Sequence, residues 1–380
     1  MSYLFELSLQ NFRNYDTARL TGLKAGFVVL VGPNGAGKTN ILEAVSLLSP
    51  GRGLRSSKIS DIQNMGRKAP WGVAGKVITD FGEVKIGTGR VSGGAAADKR
   101  KISIQGESST QSDLGEYISA LWLTPQMDGL FTDSTGERRR FFDRLAASHD
   151  PAHTGRIKRY ENAMYQRSKL LKDDRRRPDP KWLSGLEAQM AEAGIAIAAS
   201  RLDYLSRLTH AIDHNTLESE AYFPKARLTI KGMIEDQLKS NSAVEAEEVF
   251  KNALEKAREL DAVSGGASLG THRSDFHAVF HDKDMDAAQS STGEQKALLI
   301  GIVLAHSWLV AGERGAPPVL LLDEVSAHLD ERRRSALYEL LETLGGQIWL
   351  TGTEKSLFEE IKDKSSAFLI ENGKVSPSAL

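Results

Sequence analysis

The spacing of apolar residues divides the chain into stretches of distinct character. Tyr3 to Leu9 alternates apolar and polar residues, the period of a half-buried strand. Gly26-Phe27-Val28-Val29-Leu30-Val31 is a continuous apolar run, as expected of a strand buried on both faces. A glycine-rich turn follows, and then Asn40 to Leu48 carries apolar residues at helical spacing. Short antiparallel strands are expected at Gly72–Thr79, Glu83–Gly87 and Lys101–Gln105, with a Gly- and Ala-rich turn at Ser92 to Ala97.

From Glu137 to about Glu220 charge rises, glycine becomes scarce and apolar residues fall three and four apart. Leu183, Leu186, Met190, Ala193, Ile197, Leu202, Leu205 and Leu208 form the stripe of an amphipathic helix or two. Arg175-Arg176-Arg177-Pro178-Asp179-Pro180 reads as an exposed hinge. Strand and helix patterns then alternate again: a strand at Ala226–Ile230, helices at Val244–Leu260 and Glu294–Leu309, and strands at Pro318–Asp323, Gln347–Thr351 and Ala367–Ile370. The expected organisation is α/β, with a mixed sheet flanked by helices, an antiparallel β subdomain and an inserted, mainly helical lobe. Its bounds are 1–136, 137–220 and 221–380. No internal repeat is present.

Composition narrows the class. The chain has 380 residues, 40% hydrophobic and 26% charged, which suits a globular protein with a sizeable core. No stretch reads as the roughly 20 apolar residues that span a bilayer, and Met1 to Glu6 does not resemble a signal peptide, so no membrane partner and a cytoplasmic location are expected. The absence of cysteine excludes disulfides, thiolate chemistry and Cys-ligated zinc. None of the nine histidines has H-E-x-x-H or similar spacing, so no zinc is assigned. The net charge of −1 announces no polyanionic partner.

Three segments carry chemistry. Gly32-Pro33-Asn34-Gly35-Ala36-Gly37-Lys38-Thr39 fits the phosphate-binding loop G-x-x-x-x-G-K-[ST], in the strand–turn–helix context that loop requires. Its glycines let successive N–H groups face a phosphate, Lys38 reaches the β- and γ-phosphates of ATP, and the Thr39 hydroxyl can ligate Mg²⁺. Asp323 and Glu324 end a buried apolar strand, where an aspartate supports Mg²⁺ and the next glutamate can act as general base on water. Ser290-Ser291-Thr292-Gly293-Glu294-Gln295-Lys296 opens an apolar helix. Ser291 and Gly293 there suit an anion, although Ser291 with Glu294 also reads as a plain capping box, the better reading on that segment alone.

Together with Ser326-Ala327-His328-Leu329-Asp330, these segments resemble the Walker A, signature, Walker B and D-loop of an ABC-type P-loop ATPase head. Within that superfamily the chain resembles the RecF family of bacterial DNA replication, repair and recombination-mediator ATPases. The likeness rests on Leu9 to Tyr15 (L-Q-N-F-R-N-Y), Gly37 to Ala44, Arg52 to Arg55, Gly136 to Asp143 (G-E-R-R-R-F-F-D) and Gly270 to Asp275, in the family's order along nearly the whole chain.

The resemblance implies that Gly32 to Thr39 bind ATP, that Asp323 supports Mg²⁺ with Glu324 as base, and that Gln126 senses metal and water. It implies that Ser291 and Gly293 approach the γ-phosphate of ATP held by a second copy. ATP would then drive a homodimer that binds double-stranded DNA at gaps or junctions (single strands being less expected), hydrolyses ATP slowly and helps load recombinase, with RecR and RecO as partners. Three departures stand out. Ser290 and Thr292 replace the usual Leu and Gly of the signature, Thr351-Gly352-Thr353 stands where many ABC ATPases place a switch histidine, and Ser274 stands where relatives often carry an acid.

Basic residues cluster between 137 and 177: Arg138-Arg139-Arg140, Arg156, Lys158, Arg159, Arg167, Lys169, Lys172 and Arg175-Arg176-Arg177. Such clusters hold DNA phosphates without sequence readout, and interleaved acids keep a merely solvated face as the alternative. An SMC-like head is the alternative function, but no sustained heptad pattern spans the interval from Lys38 to Asp323. A transporter's nucleotide-binding subunit fits less well, because Lys38 and Ser291 lie too far apart. A kinase or RecA-type motor leaves the Ser291 turn and the acid pair unexplained.

Overall fold

The computed structural model describes the chain except residues 1, 65, 67–68, 92–98, 173–178 and 215–221, and the side chain of His328. The turn expected at Ser92 to Ala97 and the basic part of the expected hinge lie outside the described residues. In chain order the elements begin with β1 (Tyr3–Phe12), β2 (Tyr15–Leu20), β3 (Gly26–Val31), α1 (Lys38–Ser46), β4 (Gly72–Thr79), β5 (Gly82–Arg90), β6 (Arg100–Ile104), β7 (Glu107–Ser109) and β8 (Ala120–Leu123). There follow α2 (Thr135–His149), α3 (Ala152–Leu171), α4 (Pro180–His214), β9 (Ala226–Lys231), α5 (Met233–Ser240), α6 (Ala243–Lys256), α7 (Arg258–Ser264), β10 (Asp275–Phe280) and β11 (Met285–Asp286). The chain ends with α8 (Thr292–Arg314), β12 (Val319–Leu322), α9 (Glu331–Leu344), β13 (Gln347–Gly352), β14 (Ser365–Glu371) and β15 (Lys374–Pro377).

Two compact units emerge, with bounds that differ from those expected. One comprises Met1–Asp128, Thr216–Phe223 and Val303–Leu380, the other Gly129–Asn215 and Pro224–Ile302. The segment from Pro224 to Ile302 groups with the helices because β9 and β10 pair with each other, while α4 packs on β9 and α2 on β10. The boundary at Ile302/Val303 falls inside α8. That helix is long and apolar enough to cross a bilayer by length and composition, contrary to the reading that no such stretch exists. Its most apolar window is 72% buried within the protein, as in the core helix of a folded domain.

In the first unit, β2-β1-β4-β5-β6-β7 form an antiparallel sheet. The second sheet has the order β15-β14-β3-β13-β12-β8, parallel from β14 to β8, with β15 antiparallel at one edge. Ile41, Leu42 and Val45 of α1 share one core with Leu7, Leu9, Val73 and Ile86 of the first sheet and Val28, Leu30 and Trp349 of the second. Buried Gln347 joins the two sheets. Its Nε2 donates to the carbonyl of Leu4 at 2.8 Å, and its Oε1 accepts from the Leu4 N–H at 3.0 Å. The buried strands fall where their unbroken apolar runs place them, since a strand between two neighbours inside a covered sheet has no polar face.

In the second unit, α3 to α6 enclose a core containing Tyr160, Met190, Ile197, Ile234 and Phe250. The stripe expected on α4 is borne out at Leu183, Leu186, Met190, Ala193, Ile197 and Leu208, which are buried. Leu202 and Leu205 are only half-buried, and Arg201 and Tyr204 are buried instead. Arg201 is tolerated there because Asp143 and Glu235 meet its guanidinium, as a buried charge requires.

Candidate functional site

The loop from Gly32 to Gly37 leaves the end of β3 and enters α1 at Lys38. Gly35 and Gly37 take φ values of 79° and 116°, a backbone that L residues rarely adopt. At Gly37 a Cβ would also lie 2.5 Å from Asn14 Nδ2 and 2.6 Å from the Tyr15 hydroxyl. Asn14 Nδ2 donates to the Ala36 carbonyl at 2.9 Å, and Asn14 Oδ1 accepts from Asn40 Nδ2 at 2.7 Å. Thus the N-F-R-N-Y turn between β1 and β2 supports the loop from beneath. The Asn40 N–H bonds back to the Gly37 carbonyl at 3.0 Å, and the N–H groups of Lys38 and Thr39 before it sit at the positive end of the α1 dipole, so this mouth favours an anion.

Lys38 is 4% exposed, and its ammonium donates to the carbonyls of Gly32 at 2.7 Å and Pro33 at 3.1 Å. Burial lowers its pKa, against the opposing charges of Glu324 and Asp323. Those charges reach it because β12, which delivers the two acids, is separated from β3 only by β13.

The Thr39 hydroxyl donates to Asp323 Oδ2 at 2.8 Å. On the other side, the Thr351 hydroxyl donates to Asp323 Oδ1 at 2.7 Å and accepts from the Glu324 N–H at 2.9 Å. Asp323 is 4% exposed, while Glu324 is half-buried and left-handed at φ 54°. Thr39 and Asp323 therefore present two hard oxygen donors side by side, a set that suits Mg²⁺. Gln126 follows β8, the strand beside β12, in a short turn at Pro125–Met127. It is exposed and makes no hydrogen bond among the described residues, so the structure does not join it to the cluster. Thr351 and Asn14 were not singled out as site residues by sequence. Their only signals are a hydroxyl ending a buried apolar strand and an amide in a resembling segment.

Ser291 and Gly293 lie in the second unit at the start of α8, and both are exposed. Here the capping box is what forms. The Ser291 N–H and hydroxyl both donate to Glu294 Oε2, at 3.0 and 2.9 Å, and the Glu294 N–H donates to Ser291 Oγ at 3.4 Å. Hydrogen bonds from Lys283 and then Ser291 hold the Glu294 carboxyl down at about 2.

The structure also sorts the basic residues. Arg138 pairs with Asp275, Arg139 donates to the Ser274 carbonyl, Arg140 pairs with Glu137, Arg156 with Asp150, and buried Arg167 with Glu187 and Asp261. Among the described residues, Lys158, Arg159, Lys169 and Lys172 carry no ion pair, and all four are exposed. Lys158, Lys169 and Lys172 fall on one stripe of the outer face of α3 and its C-cap, together with exposed Tyr165.

Known proteins resemble this chain over nearly its full length. The RecF/RecN/SMC N-terminal domain family matches residues 3–376. A Rhizobium etli protein named DNA replication and repair protein RecF is 45% identical over 373 residues, covering 98% of both chains. Its Agrobacterium fabrum counterpart is 44% identical over 97% of both. Among solved structures, a recombination mediator protein RecF with ATP in the RecFOR pathway superposes with a TM-score of 0.86 at 26% identity, covering 100% of this chain and 98% of that one. An Smc head domain from Pyrococcus furiosus shares the fold, with a TM-score of 0.55 at 18% identity over 100% of this chain and 96% of that one. With nearly half of its residues identical to proteins named RecF over almost the full length of both, the chain belongs to the RecF branch of the RecF/RecN/SMC family.

Proposed function

We propose that this protein is an ATP-dependent DNA-binding protein of DNA replication and repair, working in the cytoplasm as an ATP-driven dimer. The observation that carries the reading is the clasp of Thr39 on Asp323, which brings the phosphate-loop helix and the acidic strand end to one point. In this reading, Gly32 to Thr39 cradle the phosphates of ATP, and Lys38 leaves the carbonyls of Gly32 and Pro33 for the phosphate oxygens. Thr39 and Asp323 hold Mg²⁺, which when bound neutralises developing charge on the phosphates. Glu324 accepts a proton from the attacking water, and Gln126 approaches this cluster only as the site closes.

Ser291 and Gly293 approach the phosphates held by a second copy, for which Ser291 must give up its bond to Glu294. Hydrolysis is slow and releases the dimer. The unpaired cations of α3 hold the backbone of duplex DNA at gaps or junctions, and partners of the RecFOR pathway, RecR and RecO, act on the assembled dimer. The length of α4 supports this reading over an SMC-like structural arm. At 35 residues, α4 is about 50 Å long, far shorter than an extended coiled coil.

The test is sedimentation of wild type and Glu324→Gln with and without ATP, Mg²⁺ and gapped DNA. An ATP-stabilised dimer in the variant, with DNA retained, is expected. Monomers throughout would refute the composite site.

A further inference from the structure

The end of β13 touches both acids that follow β12 and the first residue of the phosphate loop. Thr351 is 1% exposed, so its hydroxyl must be satisfied by the protein, and it makes one bond in each direction. It donates to Asp323 Oδ1, and the Glu324 N–H donates to it. The next residue, Gly352, accepts from the Gly32 N–H at 3.2 Å, which ties the same strand end to the start of the phosphate loop. No side chain fits at 352, where a Cβ would lie 2.7 Å from two ring carbons of Phe358. A histidine there would have to push that buried ring aside.

We propose that Thr351 is a positioning residue for the hydrolytic site, one hydroxyl setting the arrangement of both acids. The proposal rests on the nucleotide reading above. Two geometric consequences follow from the single oxygen. Holding Asp323 Oδ1 leaves Oδ2 turned to Thr39, so the two metal-directed oxygens stay adjacent. Accepting from the Glu324 N–H anchors that residue in its left-handed conformation, which a non-glycine residue keeps only where its surroundings enforce it. A strained backbone at the residue that carries the base, fixed by a side chain from the neighbouring strand, is preorganisation of the reacting group. The threonine type matters: its hydroxyl donates and accepts at once, and its methyl group fills the buried strand end.

The experiment compares wild type with Thr351→Ser, Thr351→Val and Thr351→Ala. It uses a fluorescent ATP analogue bound in Mg²⁺ and in EDTA, steady-state hydrolysis, and thermal melting of the free protein. The Val and Ala variants should bind nucleotide in EDTA within about twofold of wild type. Their enhancement by Mg²⁺ should fall severalfold, and kcat should drop by tenfold to about 100-fold with KM changed much less, as for a displaced catalytic group. Thr351→Ser should return all three readouts to within about threefold, because it keeps the donor and the acceptor.

A purely structural threonine would lose EDTA binding and melting temperature together, with no split between kcat and KM. Either that pattern, or Val and Ala variants that keep Mg²⁺ enhancement and kcat within twofold of wild type, would overturn the proposal. Wild type that binds no nucleotide would overturn the site reading itself and this inference with it.

Discussion

Arg201→Met tests how the helical unit is held together. The Arg201 side chain is 2% exposed. Its Nε and Nη2 grip both oxygens of Asp143 at 2.7 and 2.8 Å, while Nη1 donates to Glu235 Oε1 at 3.1 Å and to the Thr271 carbonyl at 2.9 Å. Methionine keeps the volume of the stem and removes the charge. Asp143 is then left with His153 Nε2 at 3.0 Å, and fully buried Glu235 with the Ser274 hydroxyl at 2.8 Å.

Breaking one member of a buried ionic group costs about 3–5 kcal/mol, because the remaining charges keep their desolvation penalty. For a unit of this size, that loss lowers Tm by roughly 6–20 °C at neutral pH. The loss shrinks with acid. Burial raises the Asp143 carboxyl, but Arg201 and then His153 more than offset it and hold it at about 2 in the wild type. Wild-type stability from this group is therefore present above the unfolded value near 3.9 and is lost as pH falls towards 2. In the variant, Asp143 loses its main counter-charge and titrates higher, so protonation relieves it. The Tm gap should narrow from pH 7 to pH 4. A triple variant, Arg201→Met with Asp143→Asn and Glu235→Gln, should recover at least half of the loss. Differential scanning calorimetry of the three proteins decides. A gap under 2 °C at pH 7, or one independent of pH, would show that the buried network is not what holds these helices.

Three further outcomes can be checked directly. Gly37→Ala forces an unfavourable φ and displaces Asn14 and Tyr15, which should cost about 2–4 kcal/mol and abolish ATP binding; a variant as stable as wild type in urea would contradict the clash. Asp323→Asn keeps the shape of the Thr39 and Thr351 contacts but removes the charge, so Mg²⁺ enhancement of nucleotide affinity should fall by about tenfold or more while affinity in EDTA holds; equal loss in both buffers would indicate collapse of the loop. Replacing Lys158, Lys169 and Lys172 by Gln should flatten the dependence of log DNA affinity on log salt by about 0.9 for each phosphate contact removed. An unchanged slope would take DNA off α3.

Much of the site was legible along the chain because its chemistry is local. An eight-residue loop between an apolar strand and a helix, and two acids at the end of another apolar run, signal phosphate and metal through spacing alone. The strands β3 and β12 announced themselves in the same way, since a strand covered on both faces is largely apolar, while β13 carries an apolar centre between the buried polar residues Gln347 and Thr351. What the sequence did not disclose depends on contacts between distant segments. Arg201 breaks the apolar stripe of α4 and becomes intelligible only beside Asp143 and Glu235. The basic run between 137 and 177 looked uniform, yet folding pairs Arg138, Arg140, Arg156 and Arg167 with acids and, among the described residues, leaves the exposed lysines of α3 and its C-cap without an ion pair. Thr351 was one more hydroxyl at a strand end until β13 came to lie between β3 and β12. Sequence alone determined which backbone can cradle a phosphate, because that follows from neighbouring residues. Tertiary structure decided which charges remain available and which side chains set the acids, because burial and pairing are properties of the fold.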